Sequence, residues 1–223
     1  MPPARGDYRG MINRTTLTAV VTGPLFLAVA GLLSVAEHDA LQSWGWTALD
    51  HHGVPWPSSL ALTSLGWIQA ASFALTGVAL LALARGPAPR LAPGRSAKVA
   101  TRALAVAGAG LVSAAFPLDH PAGDPAELGS WIGSWHAGLH AAGFMAAAIA
   151  GLTAVLAVAV AARPAAPRLS RMSALTAATC AASLAVPGAV GWYVFLGAFF
   201  CWTSVLAARA ERVPAPSAPQ AIA

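Results

Sequence analysis

Two histidines four residues apart are the side chains best spaced to act together. On a helix, His136 and His140 lie on one face with Cβ atoms about 6 Å apart, close enough to ligate one metal ion. Zinc needs further ligands, and the connection before this helix supplies Asp119 and His120. The spacing therefore makes these four residues candidate metal ligands, with zinc as the candidate cofactor.

The cluster supports three interpretations, which the sequence leaves open. The first is the metal site. The second is a structural cap in which both histidines bond Asp119 and loop carbonyls. The third is a proton-handling or ligand-binding site without metal. If the protein is an enzyme, the candidate catalytic residues are Asp119, His136 and His140. The enzyme would be either a metal-dependent hydrolase or a cyclase in which Asp119 or Glu37 donates the proton.

Six apolar stretches position these residues. The chain is 57% hydrophobic and 9% charged, with a mean hydropathy of +0.64, whereas soluble domains carry roughly a quarter charged residues. A membrane-spanning helix needs about 20 apolar residues, so we predict an all-α integral membrane protein with six transmembrane helices. The predicted spans are Thr15–Ala36, Gly66–Ala84, Ala100–Phe116, His136–Ala161, Met172–Val186 and Val190–Ala208.

Basic residues alternate with histidines along the chain. All 13 Lys and Arg residues lie in four segments, and the six His lie in or beside the first and third connections, which contain no Lys or Arg. Short basic segments stay inside, so we predict a plasma-membrane protein with both termini cytoplasmic and the histidines outside. Residues 1–14 are then a cytoplasmic segment, 15–208 the six-helix domain and 209–223 a disordered cytoplasmic tail.

The net charge of +5 comes from basic residues that flank the apolar spans. We therefore expect lipid headgroups as the partner of these residues, and we do not expect nucleic acid.

Pro187-Gly188 predicts a tight turn between the last two spans, and a re-entrant hairpin there is an open alternative. Cys180 and Cys201 fall in apolar spans and are predicted to be buried thiols. Small residues at 143, 147 and 151 continue the His136–His140 face and predict helix packing.

Two motifs resemble a known family. One is Pro57-Ser-Ser-Leu-Ala-Leu followed by Gly66-Trp-Ile-Gln; the other is Phe116-Pro-Leu-Asp followed by Trp135-His136 and Gly138-Leu-His140. Together they resemble the bacterial six-span proteins catalogued as domain of unknown function 998, over roughly residues 15–208. The family pattern usually places Pro directly after the Asp, whereas His120 stands here. The resemblance implies a fold and topology and no activity.

The candidate ligand-binding residues are Gln69, Glu37, Trp67 and Trp135. Gln69 shares a helix face with Ser72 and Thr76, which fits either helix packing or the lining of a cavity. The favoured hypothesis is an outer-face Asp/His site that binds a small apolar or lipidic ligand within the bilayer. The alternative is a membrane enzyme that uses Asp119, His136 and His140. A small transporter is a third hypothesis, although no inverted repeat is visible. The oligomeric state stays open.

Overall fold

The described part of the chain consists of seven α-helices and one 3-10 helix, and that part contains no β-strand. The computed structural model describes residues 14–44, 55–85, 94–120 and 132–210. The all-α prediction is confirmed for these residues. The α-helices are α1 (Arg14–Ala36), α2 (His38–Ser43), α3 (Gly66–Arg85), α4 (Arg95–Ser113), α5 (Trp135–Ala161), α6 (Pro167–Ser183) and α7 (Gly188–Ala210), and the 3-10 helix is Ser59–Leu62.

The six long helices pack as a ring in the order α1, α3, α4, α5, α6, α7 and back to α1. Consecutive helices of the ring run antiparallel, so the bundle has two distinct ends. We call one the arginine end, because Arg85, Arg95 and Arg163 lie at helix ends there. The other is the histidine end, which holds His38, His120, His136 and His140.

Aromatic rings fill the interior of the ring of helices. The Phe26 ring meets the edges of Phe73 and Phe200, with centroids 4.9 and 5.3 Å away. Phe144 of α5 contacts Trp192 of α7 at 5.0 Å across the interior. Buried residues of these helices form a large core inside the ring, and a second, smaller cluster around Leu60 and Leu118 lies at the histidine end.

Glycines set the closest helix crossings. A Cβ atom on Gly143 of α5 would lie 2.6 Å from the Ser113 Cβ of α4, and one on Gly151 would lie 3.2 Å from the Phe199 ring of α7. The small-residue face of α5 therefore packs against two neighbours, which confirms the prediction of helix packing for this stripe. At Gly188 the backbone has φ of +71°, a conformation that favours glycine, and the predicted turn between α6 and α7 forms there.

A difference in helix length opens a gap at the histidine end. Helix α5 has 27 residues and α6 has 17, so at 1.5 Å per residue α5 is roughly 15 Å longer. A short turn joins the two helices at the arginine end, where Ser170 Oγ donates to the Ala159 carbonyl. The surplus length of α5 therefore projects past the end of α6, and the first turns of α5 lack this neighbour.

Each predicted span overlaps one long helix. Helices α4 and α6 begin earlier than predicted, at Arg95 and Pro167, and also end three residues earlier, at Ser113 and Ser183. The prediction started each span at its apolar residues, whereas Arg and Lys are good helix formers and proline is favoured at the first helical position, so both helices start before the apolar stretch. Three described helices are long and apolar enough to cross a membrane, namely Gly66–Arg85, Trp135–Ala161 and Gly188–Arg209, and Val20–Ala36 is a shorter apolar helix. These features indicate a membrane protein.

The prediction for the cysteines was half wrong. Cys180 is buried, and its thiol approaches the Phe195 carbonyl at 3.7 Å, but Cys201 is exposed on the outer surface of α7. Apolar surroundings did not imply burial, because a helix that faces lipid is apolar on its exposed side as well. Several expectations lie outside the described residues: the placement of His51 and His52, of most of the N-terminal segment, and of the C-terminal tail beyond residue 210.

Candidate functional site at the histidine end of the bundle

His140 joins three separate parts of the chain. It lies in the second turn of α5 and is 2% exposed. Its Nδ1 atom is 2.7 Å from the Phe116 carbonyl oxygen, just past the end of α4, and its Nε2 atom is 2.7 Å from Ser58 Oγ. The edge of the Phe73 ring packs against the imidazole, with centroids 5.7 Å apart. Polar and aromatic contacts thus hold the ring from several sides.

The partners of His140 define which nitrogen carries the proton. A carbonyl oxygen can only accept a hydrogen bond, so Nδ1 must donate to Phe116. In the neutral imidazole, Nε2 then has a free lone pair, and the Ser58 hydroxyl donates to it. The arrangement is a directed relay that runs from the serine hydroxyl through the imidazole to a backbone carbonyl.

Asp119 holds the segment that leads into α5. Its Oδ2 atom accepts from the backbone N–H groups of Gly133 and Ser134, at 2.7 and 2.6 Å, and its Oδ1 atom accepts from the Ser134 hydroxyl at 2.8 Å. Ser134 Oγ also caps α5 by accepting from the Ala137 N–H at 3.3 Å. Several groups lower the pKa of Asp119. The hydrogen bond from the Ser134 hydroxyl has the largest effect, followed by those from the two backbone N–H groups and by the nearby His136.

His136 occupies a different environment from His140. Its Nδ1 atom is 3.1 Å from the Pro117 carbonyl, and its Nε2 atom is 3.8 Å from Asp119 Oδ1. That second distance exceeds a hydrogen bond but permits attraction when the imidazole is protonated. The two histidines share a helix face, as the spacing predicts, yet each ring turns to its own carbonyl.

The four candidate zinc ligands do not converge in this structure. The His120 ring is exposed and meets the Trp44 ring edge-on at 5.4 Å, while both nitrogens of His140 bond protein atoms. Within the described ranges, no group of three or more His, Cys, Asp or Glu side chains could hold a metal ion. This geometry fits the cap interpretation better than the metal site, and zinc binding stays a prediction.

Glu37 and Gln69 are both buried, but in different settings. Glu37 follows α1, and its Oε1 atom accepts from Ser64 Oγ at 2.7 Å and from the Leu65 N–H at 2.9 Å. It therefore ties the end of α1 to the start of α3. Gln69 is fully buried in α3, and neither its Nε2 nor its Oε1 atom has a hydrogen-bond partner among the described residues.

The two tryptophans predicted to bind a ligand face outward. Trp67 is 70% exposed and Trp135 is 74% exposed, and the Trp135 ring lies 6.0 Å from the Phe116 ring. Amphipathic indole rings at the end of an apolar bundle suit a membrane–water interface. Their position favours anchoring over ligand contact.

A cavity of about 50 Å³ lies beside the Ser58–His140 pair. It occupies the gap that the short α6 leaves at the histidine end, between α5, α7 and the segment before the 3-10 helix. Ser58 and His140 are lining residues with polar side chains, and the rest of the wall is mostly aromatic or aliphatic. The lining residues are Trp56, Pro57, Ser58, Leu118, His140, Ala141, Phe144, Met145 and Trp192.

Sequence reasoning identified His140 at this cavity and missed Ser58, Phe144 and Trp192. One signal could have found Ser58, because it lies in the first of the two motifs that carry the family resemblance. The hydrogen bond itself joins residues 82 positions apart, which no local pattern reveals. A second, narrower pocket of about 10 Å³ continues toward the bundle centre and shares Phe144 and Trp192 with the first.

The fold and the site define an all-helical membrane protein with a polar pair beside an apolar cavity. The family model described as "Protein of unknown function (DUF998)" matches residues 57–215, and the chain belongs to this family. The matched range contains Ser58, Asp119, His136 and His140. Searches of curated proteins and of solved structures find no match.

The carboxylate of Asp119 should stabilise the fold above about pH 4. Its pKa is lower in the folded chain than in the unfolded chain, so its contribution is present above the unfolded value and disappears as pH falls through the lowered value. Asp119→Asn should therefore lower the thermal midpoint of purified protein at pH 7, and the difference from wild type should shrink toward pH 3.

Asp39→Asn is the matched control, because Asp39 is an exposed carboxylate in the first turn of α2 at the same end of the bundle. It should leave the thermal midpoint nearly unchanged. An Asp119→Asn variant as stable as wild type at pH 7 would contradict the assigned role.

Proposed function

We propose that the chain crosses the plasma membrane six times, with both termini and the arginine end in the cytoplasm. Helices α3, α5 and α7 support this, because they are long and apolar enough to cross a membrane. Helices α1, α4 and α6 complete the same ring. The distribution of basic residues supports the orientation. In this proposal residues 1–14 are a cytoplasmic segment, 15–208 the membrane domain and 209–223 a cytoplasmic tail. Helix α6, about 25 Å long, is shorter than the roughly 30 Å hydrocarbon core, so this proposal requires local thinning of the bilayer around it.

The orientation predicts which introduced cysteines react from outside. In a background with Cys180 and Cys201 replaced by alanine, Gln42→Cys on α2 should react with a membrane-impermeant maleimide on intact cells. Ala165→Cys, in the exposed turn between α5 and α6, should react only after lysis. The opposite pattern would reverse the topology, and labelling of both sites from outside would contradict the six-span count.

We propose that the cavity beside His140 binds a small apolar or lipidic ligand. The observation that carries the proposal is the pairing of apolar walls with one polar side chain pair, Ser58 and His140, in a preformed cavity. Asp119 and His136 play a supporting part. They fix the segment that carries Leu118, which forms one wall of the cavity.

The hypotheses in which Asp119 is a catalytic residue receive less support. Its carboxylate already accepts three hydrogen bonds from Gly133 and Ser134, and it does not line the cavity. A cyclase needs a protonated acid, whereas the surroundings of Asp119 lower its pKa and favour the ionised form. The favoured function is therefore binding at the Ser58–His140 cavity, with Asp119 as an organising residue.

Filling the cavity should weaken ligand binding. Ala141 lines the cavity, so Ala141→Phe should weaken binding of a brominated fatty alcohol at least tenfold, measured by quenching of tryptophan fluorescence from Trp56 and Trp192. Subtracting the quenching of a Trp192→Phe variant isolates the contribution of Trp192, which lines the cavity.

Ala142→Phe is the control, because the neighbouring position on α5 is exposed and points away from the cavity. It should bind like wild type. Equal quenching of wild type and Ala141→Phe would mean that the probe does not enter the cavity and would overturn the proposed function.

A further inference from the structure

We propose that Ser58 is the nucleophile of an acyl-transfer site, with His140 as its general base and the Phe116 carbonyl as the group that orients the base. The substrate class is a carboxylic ester of a lipidic or other apolar alcohol or acid, with its ester group at the Ser58 hydroxyl. This inference rests on the proposed function, since it requires an apolar ligand in the same cavity.

The geometry meets the requirements of an activated serine. A serine nucleophile needs a base within hydrogen-bond reach, about 2.6–3.2 Å, and a third group that fixes the base in the right tautomer. Ser58 Oγ lies 2.7 Å from His140 Nε2, and the carbonyl of Phe116 lies 2.7 Å from Nδ1. Because the carbonyl forces the proton onto Nδ1, the nitrogen facing Ser58 is the one that can take a proton.

The hydroxyl of Ser58 is not bonded within its own turn of the chain, unlike those of several other serines. The hydroxyls of Ser34, Ser59 and Ser183 donate to backbone carbonyls three or four residues away, which satisfies each hydroxyl locally. Ser58 stands at the N-terminus of the 3-10 helix, yet its side chain makes no capping bond. Its hydroxyl instead bonds an imidazole on α5, and both groups border the cavity.

The position of the pair also suits a lipid ester. The cavity is too small for a whole lipid, but one wall, Met145, is 44% exposed on the side where α6 is missing. A chain could therefore lie along the outer face of α5 and α7 while its ester reaches Ser58. In the proposed topology this level is near the membrane surface, where the ester groups of lipids lie.

The reaction balances with water as the second substrate. Ser58 Oγ bonds the ester carbonyl carbon while its proton moves to His140 Nε2. The bond from that carbon to the alcohol oxygen then breaks, and the alcohol leaves with the proton from Nε2. Water attacks the acyl-serine with its proton passing to Nε2. The carboxylic acid departs as Ser58 Oγ recovers the proton.

The test uses the full chain in detergent and a fluorophosphonate probe with a fluorescent reporter. Wild type should become labelled, with the adduct mapped to the peptide containing Ser58. Ser59→Ala, which changes the neighbouring hydroxyl, should label like wild type. Ser58→Cys, which keeps the volume of the side chain, should lose the fluorophosphonate label while its thermal midpoint shows that it is folded. His140→Ala should slow labelling at least a hundredfold, with partial recovery on adding imidazole.

The outcomes separate this inference from the proposed function. If wild type binds the brominated fatty alcohol and Ser58 stays unlabelled, the nucleophile assignment is overturned and the binding site stands. Labelling that maps to another residue, or that persists in Ser58→Cys, overturns it as well. If the alcohol does not bind, the proposed function fails whatever the labelling result.

Discussion

The hydrogen-bonded bridge through His140 is the interaction on which the histidine end depends. One buried imidazole satisfies a carbonyl from the end of α4 and a hydroxyl from the segment before α3, so three parts of the chain meet at a single ring. Two other hydrogen bonds also link the residues around the end of α4 to α5, from His136 to the Pro117 carbonyl and from Ser113 Oγ to the Leu139 carbonyl, and the His140 ring adds the segment that carries Ser58. Leaving one nitrogen or the hydroxyl buried without a partner would cost about 1–3 kcal/mol. The bridge also sets the tautomer that points a basic nitrogen at Ser58.

The cavity follows from a mismatch in length within an otherwise closed ring. Helix α5 extends well past α6, so its first turns have no neighbour on one side, and Phe144 and Trp192 meet across that space. Elsewhere glycine crossings such as Gly143 against Ser113 bring helices too close to leave room. The histidine end therefore has both buried polar side chains and space beside them. Asp119 completes this arrangement by fixing the segment that carries Leu118.

The fold was predictable from the sequence because apolar length and the positions of arginines are local properties. The six long helices, the turn at Gly188 and the packing of the α5 stripe all follow from such patterns. The shared face of His136 and His140 was also predictable, but their partners were not. Each ring bonds a backbone carbonyl, that of Pro117 or of Phe116, in a connection whose path cannot be read from the sequence. Ser58 escaped prediction because its partner lies 82 residues away, and Cys201 because lipid-facing and core-facing helix surfaces are equally apolar.

Nitrogen NMR on protein with isotope-labelled histidine tests the His140 bridge most directly. The His140 signals can be assigned by their loss in a His140→Gln variant. The bridge requires a neutral ring at pH 7 with the proton on Nδ1 and an unprotonated, hydrogen-bonded Nε2, and the Nε2 shift should move when Ser58 is replaced by alanine. A proton on Nε2, or a His140 spectrum unchanged by the Ser58 substitution, would contradict the account.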